Sequence, residues 1–214
     1  MEFFDPNNSS TDTDVGSLMN DLGQKAELEG LIVEWREKLV NLPENTSEVE
    51  KCTIELDIAG AQQQLERGHE AWPTARAAFD VFVQNQEWEK AVQACDILYL
   101  SDQTDSLVAL GNGIWLAVTF PIDPEITINL LAHVIDDTPD DSDGAAVAAA
   151  TALFIADTRM DDGPDKDRLH FFASQLLGKV ARRHSEVENQ AQFDFWIEKL
   201  ELNDPDKFLV RLRN

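Results

Sequence analysis

Apolar residues recur at intervals of three and four along most of this chain, and short polar breaks separate the runs. In QKAELEGLIVEWREKLVNL, Leu28, Leu31, Ile32, Trp35 and Leu39 fall on one stripe, which predicts an amphipathic helix from about Gln24. Residues 1–23 read as a polar, acidic tail that Phe3 and Phe4 can dock. Pro43 lies in the break after that first helix. Ser47 and Glu50 then spell a capping box, in which each side chain bonds a free backbone N–H near the other residue. The box opens a helix carrying Ile54, Ile58, Ala61 and Leu65 to about Gly68. Pro73 suits the first turn of the next helix, with Ala75, Ala78, Phe79 and Phe82 on its apolar face. Trp88, Ala91, Val92, Cys95 and Leu98 mark another.

The second half repeats this grammar. Asp105 or Ser106 is placed to cap the apolar segment through Trp115, and DPEITINLLAHVI opens with an Asp cap and a first-turn Pro. Gly144 to Arg159 reads as an Ala-rich helix and Asp165 to Arg183 as the next. Ser185 with Glu188 spells a second capping box ahead of QAQFDFWIEKLEL, and Asp204-Pro205 opens a short last helix. No segment alternates with a period of two, so no strand is expected. The predicted fold is all-α: antiparallel helical hairpins, eight to ten short helices, in one domain over 24–214 with a repeat-like core at 72–160.

WPTARAAFDVFVQNQEWEKAVQACDILYLSDQ resembles one tetratricopeptide-type helical hairpin. With Trp72 as the first position, Phe82 is eleventh, Trp88 seventeenth and Ala91 twentieth, where the family places a small residue so that its two helices touch. The eighth position, usually small, is Phe79. A second unit from Ser106 has Gly113 there and needs a one-residue insertion near Pro121; a third from Asp141 has Ala148 there. The resemblance implies a tetratricopeptide-like or related HEAT-type repeat, and an irregular helical bundle fits the same residues. It also implies a partner groove on the first helix of each unit. Carried onto this chain, the groove positions are Pro73, Arg76, Asp80 and Val83, then Leu107, Leu110, Ile114 and Ala117, then Ser142, Ala145, Ala149 and Ala152. Buried core would look the same at the apolar ones.

Charge changes the picture of partners. The formal net charge is −24, and it is unevenly placed. Residues 161–214 hold eleven acidic and nine basic side chains; residues 1–160 hold thirty and eight. Such a field disfavours nucleic acid and anionic membranes and attracts basic proteins. Solubility and a salt-rich habitat would produce the same acidity. The two cysteines, Cys52 and Cys95, form no CxxC and read as reduced and buried, which points to the cytoplasm. The N-terminal segment lacks the apolar run of a secretory signal. The longest apolar stretch, Leu107–Phe120, is shorter than the roughly 18 residues of a membrane span.

Candidate chemistry is thin. The aspartates in DDTPDDSDGAAVAAATALFIADTRMDDG suggest a calcium loop. Setting Gly144 at the loop's glycine position puts Pro139 and Ala150 where the first ligand and the bidentate acid belong, and Gly163 fits no better. These aspartates therefore read as helix punctuation, meeting free amides at the start of the Ala-rich helix. The four histidines are scattered, with no HExxH and no Cys/His cluster, so no metal is expected. His133 and Asp137 read as a surface i, i+4 pair. Gly111-Asn-Gly113 lacks the third glycine of a nucleotide loop, and no GxSxG occurs, so no cofactor and no catalytic residue is expected. Lys179, Arg182 and Arg183 complement the end of their own helix, and Lys207, Arg211 and Arg213 form a basic tail able to fold back on the acidic body.

Three function classes remain. One is a protein-interaction module: an adaptor, an assembly factor, or a chaperone similar to the small acidic helical chaperones of bacterial secretion systems. It would bind a basic or amphipathic protein segment through the groove. The alternative is an acidic nucleic-acid mimic that occupies a basic site on a DNA- or RNA-binding protein. A helical-bundle enzyme would need a pocket of converging carboxylates that no pattern here specifies.

Overall fold

In the computed structural model, which describes residues 10–213, the chain is ten helices with no strand among the described residues. They are α1 (Ser10–Val40), α2 (Glu48–Gln64), α3 (Gly68–Gln84), α4 (Trp88–Leu100), α5 (Ser106–Thr119), α6 (Pro124–Asp137), α7 (Asp143–Arg159), α8 (Pro164–Ser185), α9 (Gln190–Lys199) and α10 (Pro205–Arg213). The all-α expectation holds. Phe3 and Phe4 lie outside the described residues, and α1 begins at Ser10 rather than Gln24.

Side-chain caps set five of the starts, those of α2, α6, α7, α9 and α10. Ser47 Oγ accepts the Glu50 N–H at 3.2 Å, and Asp123 accepts from Glu125 and Ile126 behind first-turn Pro124. Asp204 accepts from the Asp206 N–H at 3.2 Å. Four expectations need correction. Asp105 makes no side-chain cap on α5, and the Ser106 hydroxyl, already inside that helix, donates to the Leu98 carbonyl at 3.0 Å. Ser185 ends α8 rather than capping α9, whose cap is Asn189, accepting from the Gln192 N–H. The cap of α7 is the Ser142 hydroxyl rather than a carboxylate. Pro73 lies inside α3, which begins at Gly68. Gly68 is there for space: a Cβ would stand 2.2 Å from the Ser101 carbonyl oxygen at the end of α4.

The turns after α2 and α3 share one geometry. Leu65 and Asn85 close their helices, and the next residues, Glu66 and Gln86, both take a left-handed φ of 61°. The following amides, Arg67 and Glu87, then reach back to Gln62 O and Phe82 O at 2.8 and 2.9 Å. These are paired Schellman bonds, which satisfy carbonyls that a helix end would otherwise leave open.

Consecutive helices pack on one another from α1 through α8, most loosely at α5–α6, and α9 touches α8 more loosely still. A second set of contacts joins α2 to α4, α4 to α6 and α6 to α8, and nothing comparable joins α1 to α3, α3 to α5 or α5 to α7. The even-numbered helices therefore form the closer row and the odd-numbered helices splay. This consecutive packing is compatible with a helical repeat. The core instead divides along the chain: one cluster under α1 and α2, one over α2–α6 and one over α6–α10. Ile114 and Val134 pack against both larger clusters and so sit at their junction. Alanines at 145, 146, 148, 149, 152 and 156 are all fully buried, which lets α7 lie close to α6, α8 and α10 at once.

Candidate functional site

The helix α5, SLVALGNGIWLAVT, contains no charged residue. Its inner face, with Ala109, Leu110, Gly113, Leu116 and Ala117, is buried against α4 and α6. The outer face lies open and carries three large apolar side chains beside Asn112 and Thr119. Leu107 is 68% exposed, Val108 62% and Trp115 54%. Because α5 and α7 splay, a cleft of about 610 Å³ opens between them. It is lined by Ile114, Trp115 and Val118 of α5, Val134 of α6, Val147 of α7, and Leu209 and Leu212 of α10. Gly111 and Gly144 also line the cleft, and a Cβ at Gly111 would meet nothing within 4 Å.

One end of the cleft is polar, where Asp143, Arg211 and Arg213 line it. Arg211 donates to the Leu200 carbonyl at 2.6 Å, past the end of α9, and lies 3.5 Å from Asp143. His184 Nε2 also meets Asp143, at 3.1 Å, while its Nδ1 accepts the Trp196 indole N–H at 3.2 Å. An indole N–H only donates, so the assigned tautomer carries its proton on Nε2. The basic tail thus does fold back, through Arg211.

No protein-family model, curated protein or solved structure matches the chain.

The expected groove residues do not form one surface. Arg76 and Asp80 are exposed and bond each other at 2.6 Å, with the guanidinium 5.4 Å above the Phe79 ring. Val83 is half-buried against the α2–α6 core. Leu107 is exposed, and Ile114 is half-buried on the cleft wall. Leu110, at 4% exposure, and Ala145 and Ala149, at 0%, are core, so their placement in a contact groove is corrected to helix packing. Ala117 and Ala152 are core too, and Ser142 serves as the α7 cap. The residues missed were Val108, Trp115, Val147, Leu209 and Leu212. The available signal was α5 itself, since fourteen residues without a charge leave Asn112 and Thr119 as its only polar side chains toward water.

The arginines in the second half act across helices. Arg159, at the end of α7, donates to the Ala117 and Val118 carbonyls, both at 2.7 Å, and so caps the last turn of α5. Its burial lowers its pKa from the usual value. Arg183 donates to the Ile135 carbonyl at 2.6 Å and completes the end of α6, while Lys179 bonds Asp136 at 2.7 Å. The expectation that this cluster serves its own helix is therefore corrected: Lys179 and Arg183 serve α6.

His133 also has a different partner from the one expected. Its Nε2 lies 3.1 Å from Asp96 on α4, not on Asp137, and its ring sits 4.7 Å from Tyr99. Asp137 instead accepts from the Tyr99 hydroxyl at 2.6 Å. Burial first, then that bond and the nearby carboxylates, push the Tyr99 pKa well above its usual range. The four groups brace α4 against α6. Among the described residues, no three His, Cys, Asp or Glu side chains are placed to hold one metal ion, and no helix is long and apolar enough to cross a membrane.

Proposed function

We propose that the chain is a protein-interaction module, built as a tetratricopeptide-like repeat, that receives a basic or amphipathic partner segment on the outer face of α5. The observation that carries this reading is the uncovered apolar row of Leu107, Val108 and Trp115 on a helix that has no charge of its own. Apolar patches left open on a soluble body mark contact surfaces, and tryptophan is the side chain most enriched among binding anchors. The −24 charge supplies the second half of the reading, because it steers a basic partner toward the body before the apolar contact forms.

The test begins with affinity purification from native cells, using wild type beside a Leu107→Asp, Trp115→Ala double variant. A partner held by the first and lost by the second is then studied by surface plasmon resonance. Trp115→Ala alone should weaken binding by at least about 30-fold, chiefly in the off-rate. Raising salt until the Debye length falls from about 30 Å to about 8 Å should lower the on-rate. Partners retained equally by both chains would remove the α5 surface from the reading. Displacement of the partner by a DNA duplex would instead favour the nucleic-acid mimic.

A further inference from the structure

We infer that the cleft between α5, α7 and α10 binds a linear amphipathic carboxylate, of the medium-chain fatty-acid class. This goes beyond the partner reading and shares only Trp115 with it, since Leu107 and Val108 do not line the cleft. A volume of about 610 Å³ falls in the usual range for small-molecule sites, roughly 300–1,000 Å³, and such sites pair an apolar lining with a few placed polar groups.

The cleft is also graded along its length. Arg159 at the end of α7 bonds the end of α5, so these two helices run in the same sense. Arg211 meets Asp143 at the start of α7 while Phe208 packs on Phe154 further along, at 6.0 Å between centroids, so α10 runs the opposite way. The charged groups therefore gather at the α7 start, and Val118, Leu209 and the uncharged Thr119 lie toward the other end.

The sign of the polar end selects the head group. Asp143 already faces both Arg211 and His184. Arg213 is exposed and makes no ion pair among the described residues, and the first amides of α7 add the positive end of a helix dipole. A cationic head would meet two guanidinium groups, and a neutral head would leave Arg213 with water. A carboxylate accepts from a guanidinium through charge-assisted bonds. The chain's net −24 opposes an anion at range, but at physiological salt that field is screened beyond about 8 Å. Contact groups then decide.

Isothermal titration of the full chain with octanoate, decanoate and 1-decanol, each below its aggregation limit, tests the site. The expected result is one saturable site whose affinity rises up to about fourfold per added methylene, with decanoate about tenfold tighter than 1-decanol. Gly111→Leu adds a side chain at the cleft where the backbone has room for it, and should abolish binding of all three probes with the circular dichroism unchanged. Arg213→Gln should erase the preference for decanoate and keep the binding of 1-decanol. Absence of a saturable site in wild type, or binding that survives Gly111→Leu, would overturn the site. Equal affinity for decanoate and 1-decanol in wild type, or a preference untouched by Arg213→Gln, would overturn the head-group assignment.

Discussion

Gly113 on α5 sits so close to Cys95 on α4 that a Cβ added to the glycine would stand 2.8 Å from the cysteine Cβ, with Leu130 of α6 at 3.3 Å on another side. The position where three helices meet has no room for a methyl group. Two turns of chain geometry follow from it: α5 can approach α4 closely, and Ile114 beside it reaches the junction of the two larger core clusters.

The two glycines of α5 should therefore respond in opposite directions to the same change. Gly113→Ala is expected to destabilise by about 1–3 kcal/mol through overpacking. Gly111→Ala, in open space, should stabilise by about 0.5–1 kcal/mol because it removes backbone freedom from the unfolded chain. Urea unfolding of both variants measures the pair, and equal signs would contradict the packing described.

Gln86→Gly should raise stability. Gln86 holds a φ of 61°, where a Cβ crowds the following carbonyl, and glycine takes that conformation without the clash. The gain expected is about 1 kcal/mol, read as a higher urea midpoint at unchanged slope.

Arg159→Met should cost about 2 kcal/mol, because it keeps most of the side-chain volume and leaves two α5 carbonyls without their charged donor. Arg76→Ala, which removes an exposed pair one helical turn apart and an exposed guanidinium contact over Phe79, should cost less than about 1 kcal/mol. Thermal unfolding of the two variants side by side separates an internal cap from a surface pair.

Alkaline pH should weaken the fold through its thiols. Burial pushes Cys95 up to about 12, and burial with Glu55 and Glu48 pushes Cys52 up to about 11. Both folded values lie above that of an unfolded thiol, near pH 8.5, so their contribution is complete below that pH. It is lost as pH rises through the folded values, at up to about 1.4 kcal/mol per pH unit for each thiol. Denaturant titrations across that window should show the decline, and Cys95→Ala should make it shallower.

Local periodicity made the helices legible, and the caps at Ser47, Asp123 and Asp204 were readable because each bonds within three residues of itself. Facing was harder. Leu107 and Leu110 are the same residue type one turn apart on an uncharged helix, yet one is 68% exposed and the other 4%. Which one faces out depends on where α4 and α6 lie, and no local spacing encodes that. Ala145 and Ala149 raised the same difficulty, since small residues suit a groove floor and a tight crossing equally. His133 found Asp96 across 37 positions rather than Asp137 on its own helix, because the fold sets α6 beside α4. The turn residues Glu66 and Gln86 carried no glycine to announce their left-handed backbone.

The arginines that cross between helices also order events in time. Arg159 finishes α5, Arg183 finishes α6 and Arg211 finishes α9, and in every case the donor lies on a helix made later than the one it completes. Repeat arrays ordinarily gain stability one unit at a time from whichever end forms first. In this chain a ribosome releases α5 and α6 with open C-terminal carbonyls, which stay open until α7 and α8 emerge. The ends of α5, α6 and α9 are consequently finished backwards, each by an arginine on a helix made later.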